Sequence, residues 1–227
     1  MIYAVIAAGG IGSRMGADKP KQYIEIAGKA IIRHTAEKFL YCDRIDKVIV
    51  LCPEEWVGYT KDIFNGSDVT VIPGGETRNE TLMRAIDYIE ETDGLSDDTY
   101  LVTHDAVRPF VTSEIINDNI DAMLRYGATG TVIPATDTVF HSSDGQVIDS
   151  IPDRSELYQA QTPQCFGALR LRELYKSLSE KEKEILTDGC KIYLLKNQPV
   201  HLVKGHVSNI KITYPHDLTV AQAILKA

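Results

Sequence analysis

Basic residues are in short supply. The chain carries 24 Lys and Arg against 32 Asp and Glu, a net charge of −8 at pH 7. A surface this acidic repels phosphate backbones, which excludes bulk affinity for nucleic acid. Any anion site must then be a local basic pocket. Cysteine is scarce as well: Cys42, Cys52, Cys165 and Cys190 include no Cys-x-x-Cys pair, and no histidine lies at zinc-like spacing to them. They read as free thiols of a reducing compartment. Long hydrophobic runs are missing, and nothing approaches the ~20 apolar residues of a membrane span. The opening run "MIYAVI" is too short for a secretory signal and has no basic stretch before it. The expectation is a cytoplasmic protein with no membrane and no nucleic-acid partner. Repeats and low-complexity tracts are also absent. With 227 residues, 44% of them hydrophobic, the chain can bury one substantial core.

What is present is an alternation. Short apolar runs recur at 2–6, 47–51, 69–72, 99–102, 131–134 and 200–203, apolar on successive residues as strands buried on both faces should be. Between them lie helical faces: Ile32, Ala36, Phe39 and Leu40; Leu82, Ala85, Ile86 and Ile89; Ile116, Ile120, Met123 and Leu124. A last helix begins at Pro215 and turns Leu218, Ala221 and Leu225 inward. The pattern predicts an α/β fold with a doubly wound, mostly parallel sheet. Residues 135–162 break the rhythm. Asp144-Gly145 is a suitable two-residue turn there, so a projecting β-hairpin arm is expected on a single domain spanning 1–227.

The first strand runs into "AAGGIGSRMGADKPKQY", residues 7–23. In open α/β sheets ligands bind at the carboxyl ends of strands. Gly9, Gly10 and Gly12 let backbone N–H groups approach an anion. A dinucleotide fingerprint would need glycine where Met15 stands, and no window fits the P-loop spacing. A bare tight turn would explain the glycines but not the nearby cations Arg14, Lys19 and Lys21. Those can meet the charge that develops on phosphorus during displacement. "THDAVRPF" (103–110) follows another strand and puts Asp105 where a divalent cation could sit, because Mg²⁺ takes one or two carboxylates plus phosphate oxygens. Asp105 could equally be a turn residue, and Thr81 of "PGGETRNET" (73–81) could cap a helix. Lys211, between Ile210 and Ile212, reads as part of an apolar strand and could simply face solvent.

The glycine loop resembles the signature of the sugar-phosphate cytidylyltransferases, the group that includes the methylerythritol-phosphate and ribitol-phosphate enzymes. The likeness continues in order through residues 73–81, 103–110, "ATDT" (135–138), "PDRSELYQAQTPQ" (152–164), "LTDGCK" (186–191) and "SNIKITYPHDL" (208–218), so it covers essentially the whole chain. It implies a Rossmann-like nucleotidyltransferase with Mg²⁺ as cofactor. Arg14, Lys21 and Lys211 would be the catalytic cations around the α-phosphorus. Ala7, Ala8, Gly9, Gly10, Gly12, Ser13, Gly75, Arg78, Thr81 and Asp105 would hold CTP, with Asp105 also on the metal. Arg108 would orient its loop or contact the acceptor phosphate. Thr138 and Arg154 would reach the acceptor from a neighbouring subunit, which implies a homodimer with exchanged arms. Apart from the resemblance, His104 reads as a residue that caps or orients the Asp105 loop, and Trp56 as a packing residue.

In methylerythritol-phosphate enzymes the arm usually reads Asp-Thr-x-Lys, whereas here it is Asp137-Thr138-Val139-Phe140. The remaining blocks look closer to the ribitol-5-phosphate enzymes of teichoic-acid synthesis. The resemblance therefore implies D-ribitol 5-phosphate as acceptor, with 2-C-methyl-D-erythritol 4-phosphate, an isoprenoid precursor, as the alternative. A non-catalytic nucleotide-binding regulator is the competing class; the presence of all three cations and Asp105 speaks against it.

Overall fold

In chain order the elements are β1 (Ile2–Ala7), β2 (Glu25–Ile26), β3 (Lys29–Ala30), α1 (Ile31–Leu40), β4 (Lys47–Cys52), α2 (Val57–Ile63), β5 (Val69–Pro73), α3 (Arg78–Thr92), β6 (Tyr100–Asp105), α4 (Ser113–Tyr126), β7 (Ala128–Pro134), β8 (Tyr158–Gly167), α5 (Ala168–Lys176), α6 (Glu180–Glu184), α7 (Gly189–Leu195), β9 (His201–Lys204) and α8 (Pro215–Lys226). The structure, a computed structural model, describes residues 1–10, 15–16 and 19–226.

Seven strands form one sheet in the order β5-β4-β1-β6-β8-β7-β9, and β2 and β3 pair separately. Every pairing in the large sheet is parallel except the two made by β8, which runs antiparallel to β6 and β7. This is the doubly wound, mostly parallel sheet expected from the alternation of strands and helices. Successive residues of β1 serve opposite faces. Tyr3 and Val5 join Ile49, Leu51, Leu82 and Ile86 in one core; Ala4 and Ile6 join Val48, Val50, Ile32 and Ile116 in the other. Both faces are thus apolar, which is why these strands read as continuous hydrophobic runs rather than alternating ones. Each such aliphatic side chain contributes about 1.5–3 kcal/mol by leaving water.

Chain order places β4 and β5 on one side of β1 and β6 on the other, so the direction of winding reverses between β1 and β6. A crevice opens at the carboxyl ends of strands at such a point. Here those ends are Ala7 and Asp105, which are register partners across the pair.

Four expectations are corrected. The strand β8 was not anticipated: its first residues, 158–162, belong to the sheet and not to the arm. The arm has no regular hairpin and no two-residue turn; a single antiparallel bridge joins His141 to Ser150, and Asp144 Oδ1 instead accepts from the N–H groups of Gln146 and Val147 at 2.8 and 3.0 Å. The segment carrying Lys211 is not a strand. It is irregular chain tied to the body where Ile212 N–H donates to the Val107 carbonyl at 2.9 Å. Finally, Leu124 and Leu225 are exposed, while Ile120, Met123 and Ala221 on the same helices are buried. Among the described residues no helix is long and apolar enough to cross a membrane.

Candidate functional site

A cavity of about 420 Å³ occupies the crevice. Four segments build it. Ala7 to Gly10 leave the end of β1; Lys21 and Gln22 come from a single helical turn; residues 75–78 and Thr81 open α3; Asp105 ends β6. Lys211 closes the far wall.

Local structure fixes each wall. Ala8 N–H donates to the Leu51 carbonyl at 2.8 Å, carrying β1 pairing one residue past the strand. Gln22 Nε2 donates to the Ala8 carbonyl at 2.7 Å and seats the turn that carries Lys21. Behind that turn Tyr23 stacks on Trp56 with ring centroids 4.8 Å apart and bonds Thr60 Oγ1 at 2.8 Å. At the start of α3, Thr77 accepts the Glu80 N–H while the Glu80 carboxylate accepts the Thr77 N–H, a reciprocal cap. Thr81 therefore does not cap the helix. Its hydroxyl accepts the Gly75 N–H at 3.0 Å and holds the glycine pair against the helix.

Gly9 and Gly10 differ from Gly75 in why they are glycine. Among the described residues a Cβ on Gly9 or Gly10 would meet nothing within 4 Å, whereas one on Gly75 would lie 2.4 Å from Glu80 Cβ. Gly75 is required by the protein's own packing. Gly9 and Gly10 leave backbone open to whatever fills the cavity.

Asp105 is the electrostatic centre. Arg78 Nη1 bonds one carboxylate oxygen, while Lys211 Nζ at 2.9 Å and Arg108 Nε at 3.5 Å face the other. Burial would push this carboxyl upward, but the charges of Arg78, Lys211 and Arg108 outweigh it and hold it well below the usual carboxylate range. Burial opposes the charge on Arg78 too, yet Asp105 keeps it raised. Burial and the nearby Arg78 draw Arg108 down despite Asp105. Arg78 Nε and Nη2 are buried with no hydrogen-bond partner among the described residues. Donors left in this state cost about 1–3 kcal/mol each until a ligand accepts from them. Cations exceed carboxylates here, so an anion is the ligand that suits the site.

A second cavity of about 170 Å³ adjoins the first and shares Arg78, Asp105 and Lys211 with it. Arg108, Ala160, Gln161, Thr162, Gln164, Thr187 and Asp188 line its remainder. Gln164 Nε2 donates to Asp188 Oδ2 at 2.7 Å, so this smaller cavity is lined by polar groups already fixed in place.

The structure thus brings Ala7, Ala8, Gly9, Gly10, Lys21, Gly75, Arg78, Thr81, Asp105 and Lys211 to one void, and Arg108 to its neighbour. Gly12, Ser13 and Arg14 lie outside the described residues. Thr138 and Arg154 are exposed on the arm and line neither cavity; Arg154 Nη1 donates to the Thr136 carbonyl at 2.8 Å. His104 is fully buried, with Nε2 3.1 Å from the Arg108 carbonyl. Sequence reasoning passed over Thr162, Gln164, Thr187 and Asp188. All four sit inside the motif blocks "YQAQTPQ" and "LTDGCK", and that clustering was the available signal.

For Mg²⁺, Asp105 is the one carboxylate among the described residues that lines both cavities. Among the described residues no group of three or more His, Cys, Asp or Glu could hold a metal. A single carboxylate suits an ion that brings its remaining oxygens from phosphates and water, so the donor set fits Mg²⁺ only together with a nucleotide.

Comparison with known proteins adds names to this geometry. The family model "IspD: 2-C-methyl-D-erythritol 4-phosphate cytidylyltransferase" matches residues 2–227. Among solved structures, the 2-C-methyl-D-erythritol 4-phosphate cytidylyltransferase of Francisella tularensis is 28% identical with a TM-score of 0.83, covering 98% of each chain. The 4-diphosphocytidyl-2C-methyl-D-erythritol synthase of Anaerococcus prevotii is 27% identical with a TM-score of 0.81, over 100% of this chain and 96% of that one. The Thermus thermophilus cytidylyltransferase is 25% identical with a TM-score of 0.78, over the full length of both.

Proposed function

The chain belongs to the IspD family of CTP-dependent cytidylyltransferases, and from that premise we propose that it transfers CMP from CTP to D-ribitol 5-phosphate, releasing pyrophosphate and CDP-ribitol. The observation that carries the transfer is the common void. Lys21 and Lys211, from opposite ends of the sequence, line one cavity with the open backbone of Gly9 and Gly10 and with Asp105. The nucleotide lies there, its base and ribose against Gly75, Arg78 and Thr81, its triphosphate along the glycine loop with Gly12, Ser13 and Arg14. The acceptor phosphate enters from the smaller cavity beside Arg108.

An oxygen of the acceptor phosphate attacks the α-phosphorus in line. The bond from that phosphorus to the bridging oxygen breaks, and pyrophosphate departs with the electron pair. The attacking monoester is already an anion, so no side chain need act as base. Arg14, Lys21 and Lys211 stabilise the charge gathered on the five-coordinate phosphorus. Asp105 would hold Mg²⁺ arriving with the triphosphate, and the ion would neutralise the phosphates and the leaving group. Thr138 and Arg154 bind the acceptor of a second subunit, the guanidinium taking the phosphate through its two-pronged face.

Ribitol is favoured by Phe140 in place of the arm lysine and by the wording of the other motif blocks. A second reading has its own support: the family model and the neighbours above are methylerythritol-phosphate enzymes. The test is pyrophosphate release from CTP with each polyol phosphate, with and without Mg²⁺. Turnover is expected with ribitol 5-phosphate and in the presence of Mg²⁺ alone. Preference for methylerythritol phosphate reverses the acceptor; CTP binding without turnover on either points to a regulator.

A further inference from the structure

Asn209 is fully buried two residues before Lys211 and touches neither cavity. Its side-chain Nδ2 donates to the Thr162 carbonyl at 2.8 Å and to Gln161 Oε1 at 3.1 Å. The amide orientation follows from these partners. Thr162 offers a carbonyl, and Gln161 has already committed its Nε2 to the His206 carbonyl at 2.9 Å, so both groups facing Asn209 are acceptors. The Asn209 backbone N–H donates to His206 as well, at 3.0 Å, and its carbonyl accepts from Arg108 Nη1 at 2.8 Å.

These bonds close a ring. Thr162 Oγ1 accepts the Asp105 N–H at 3.1 Å. Asp105 Oδ2 lies 2.9 Å from Lys211 Nζ, and the chain from Lys211 back to Asn209 returns to Thr162. The segment bearing Lys211 has no strand pairing to hold its register; among the described residues the Asn209 side-chain amide ties it to β8, Arg108 Nη1 holds the Asn209 carbonyl, and the Ile212 N–H bonds the Val107 carbonyl. Gly205 allows the clasp to close: a Cβ there would lie 2.4 Å from Gln161 Oε1.

We propose that Asn209 is a positioning residue for the transfer reaction: its side-chain amide clamps the Lys211 segment to β8 so that Lys211 and Arg108 converge on Asp105 from fixed directions. The inference rests on the reading of Lys211 as a group that acts on the phosphates. A cation that must meet charge developing in the transition state gains by being held before the substrate arrives. Without the amide, Lys211 keeps its charge but loses its aim, and a misplacement of about 1 Å can cost ~10²-fold in rate.

The experiment is a double-mutant cycle in steady-state kinetics, using wild type, Asn209→Ala, Lys211→Ala and the double variant, with KM values for CTP and acceptor and with thermal melting of each. Asn209→Ala retains the backbone carbonyl that Arg108 uses, so it removes only the side-chain clasp. Expected is a fall in kcat of about 10- to 100-fold with the KM for CTP changed less than ~3-fold. In the Lys211→Ala background the same change should cost less than ~3-fold more, because both substitutions disable one unit. Equal losses in both backgrounds overturn the proposal, since that is how a general loss of folded protein behaves; so does a wild-type kcat for Asn209→Ala. A wild-type rate for Lys211→Ala would instead overturn the underlying role of the lysine. If Asn209→Ala does not fold, Asn209→Leu keeps the volume while losing both donors without burying a charge, and the same cycle is read with it.

Discussion

At the scale of single residues, the glycines divide into two kinds. Gly75 is packed against Glu80 and Thr81, while Gly9 and Gly10 have no such neighbour among the described residues. Gly75→Ala is therefore expected to destabilise the protein by about 1–3 kcal/mol through overpacking, read as a lowered denaturant midpoint. Gly10→Ala should leave that midpoint unchanged and raise the KM for CTP about tenfold, the worth of one lost bond to a charged group. An unaltered KM would remove Gly10 from the nucleotide site. His104 offers a different handle. Burial holds its imidazole down to about 4 from an ordinary value near 6.5. The folded state thus resists a proton that the unfolded chain accepts. That contribution is fully present above pH 6.5 and is lost as pH falls toward 4, up to about 3 kcal/mol in all. His104→Gln, which retains a donor for the Arg108 carbonyl, should flatten the decline in stability of the metal-free protein between pH 6.5 and 4. An identical slope in the variant would place the acid-sensitive group elsewhere; Asp105, held lower still, titrates below this window.

At the scale of elements, legibility followed periodicity. β1, β4 and β6 carry apolar residues on both faces, and α1, α3 and α4 carry one apolar stripe, so their signals were local and unmixed. The glycine loop and Asp105 were legible for the same reason: each follows a strand that was itself plain. β8 was hidden because "YQAQTPQCFG" mixes polar residues and a proline into a strand, and its partner strands lie far away in sequence. The Lys211 segment erred in the opposite sense. Ile210 and Ile212 alternate as a strand would, but they pack against Val107, Phe110 and α8 in a small separate core instead of pairing in the sheet. Asp144-Gly145 carried a two-residue turn signal, yet the Asp144 carboxylate folds the chain onto its own N–H groups and widens the loop. The arm also displays Arg154 in solvent, its guanidinium bonded to the Thr136 carbonyl. Arg154→Ala should raise the KM for the acceptor phosphate by about 10- to 100-fold and that for CTP far less. Equal effects on both would mean that the arm does not meet the acceptor.

At the scale of the whole molecule, charge and exposure point the same way. An acidic protein gathers Arg78, Arg108 and Lys211 around one carboxylate at the sheet's winding reversal, while two residues implied for the acceptor sit on an arm outside that crevice. The arm also exposes Val139, Phe140, Val147, Ile148 and Ile151, each more than 40% accessible. A run of apolar side chains on one projection suits burial against another chain. If a second copy of this chain supplies that cover, each site is built from one subunit's body and the other's arm, and the two contributions can be separated by mutation. Lys211→Ala damages the body, Arg154→Ala the arm. In a mixed dimer of the two variants, one site carries both lesions and the other carries neither. Equal mixing with full exchange makes half the dimers mixed, so at an acceptor concentration well below the wild-type KM, where each variant alone is nearly inactive, about a quarter of wild-type activity should return. Activity that stays at the average of the separate variants after exchange, with dimers present by sedimentation, would assign both residues to the same chain's site. Full activity in a monomer would remove the shared site altogether.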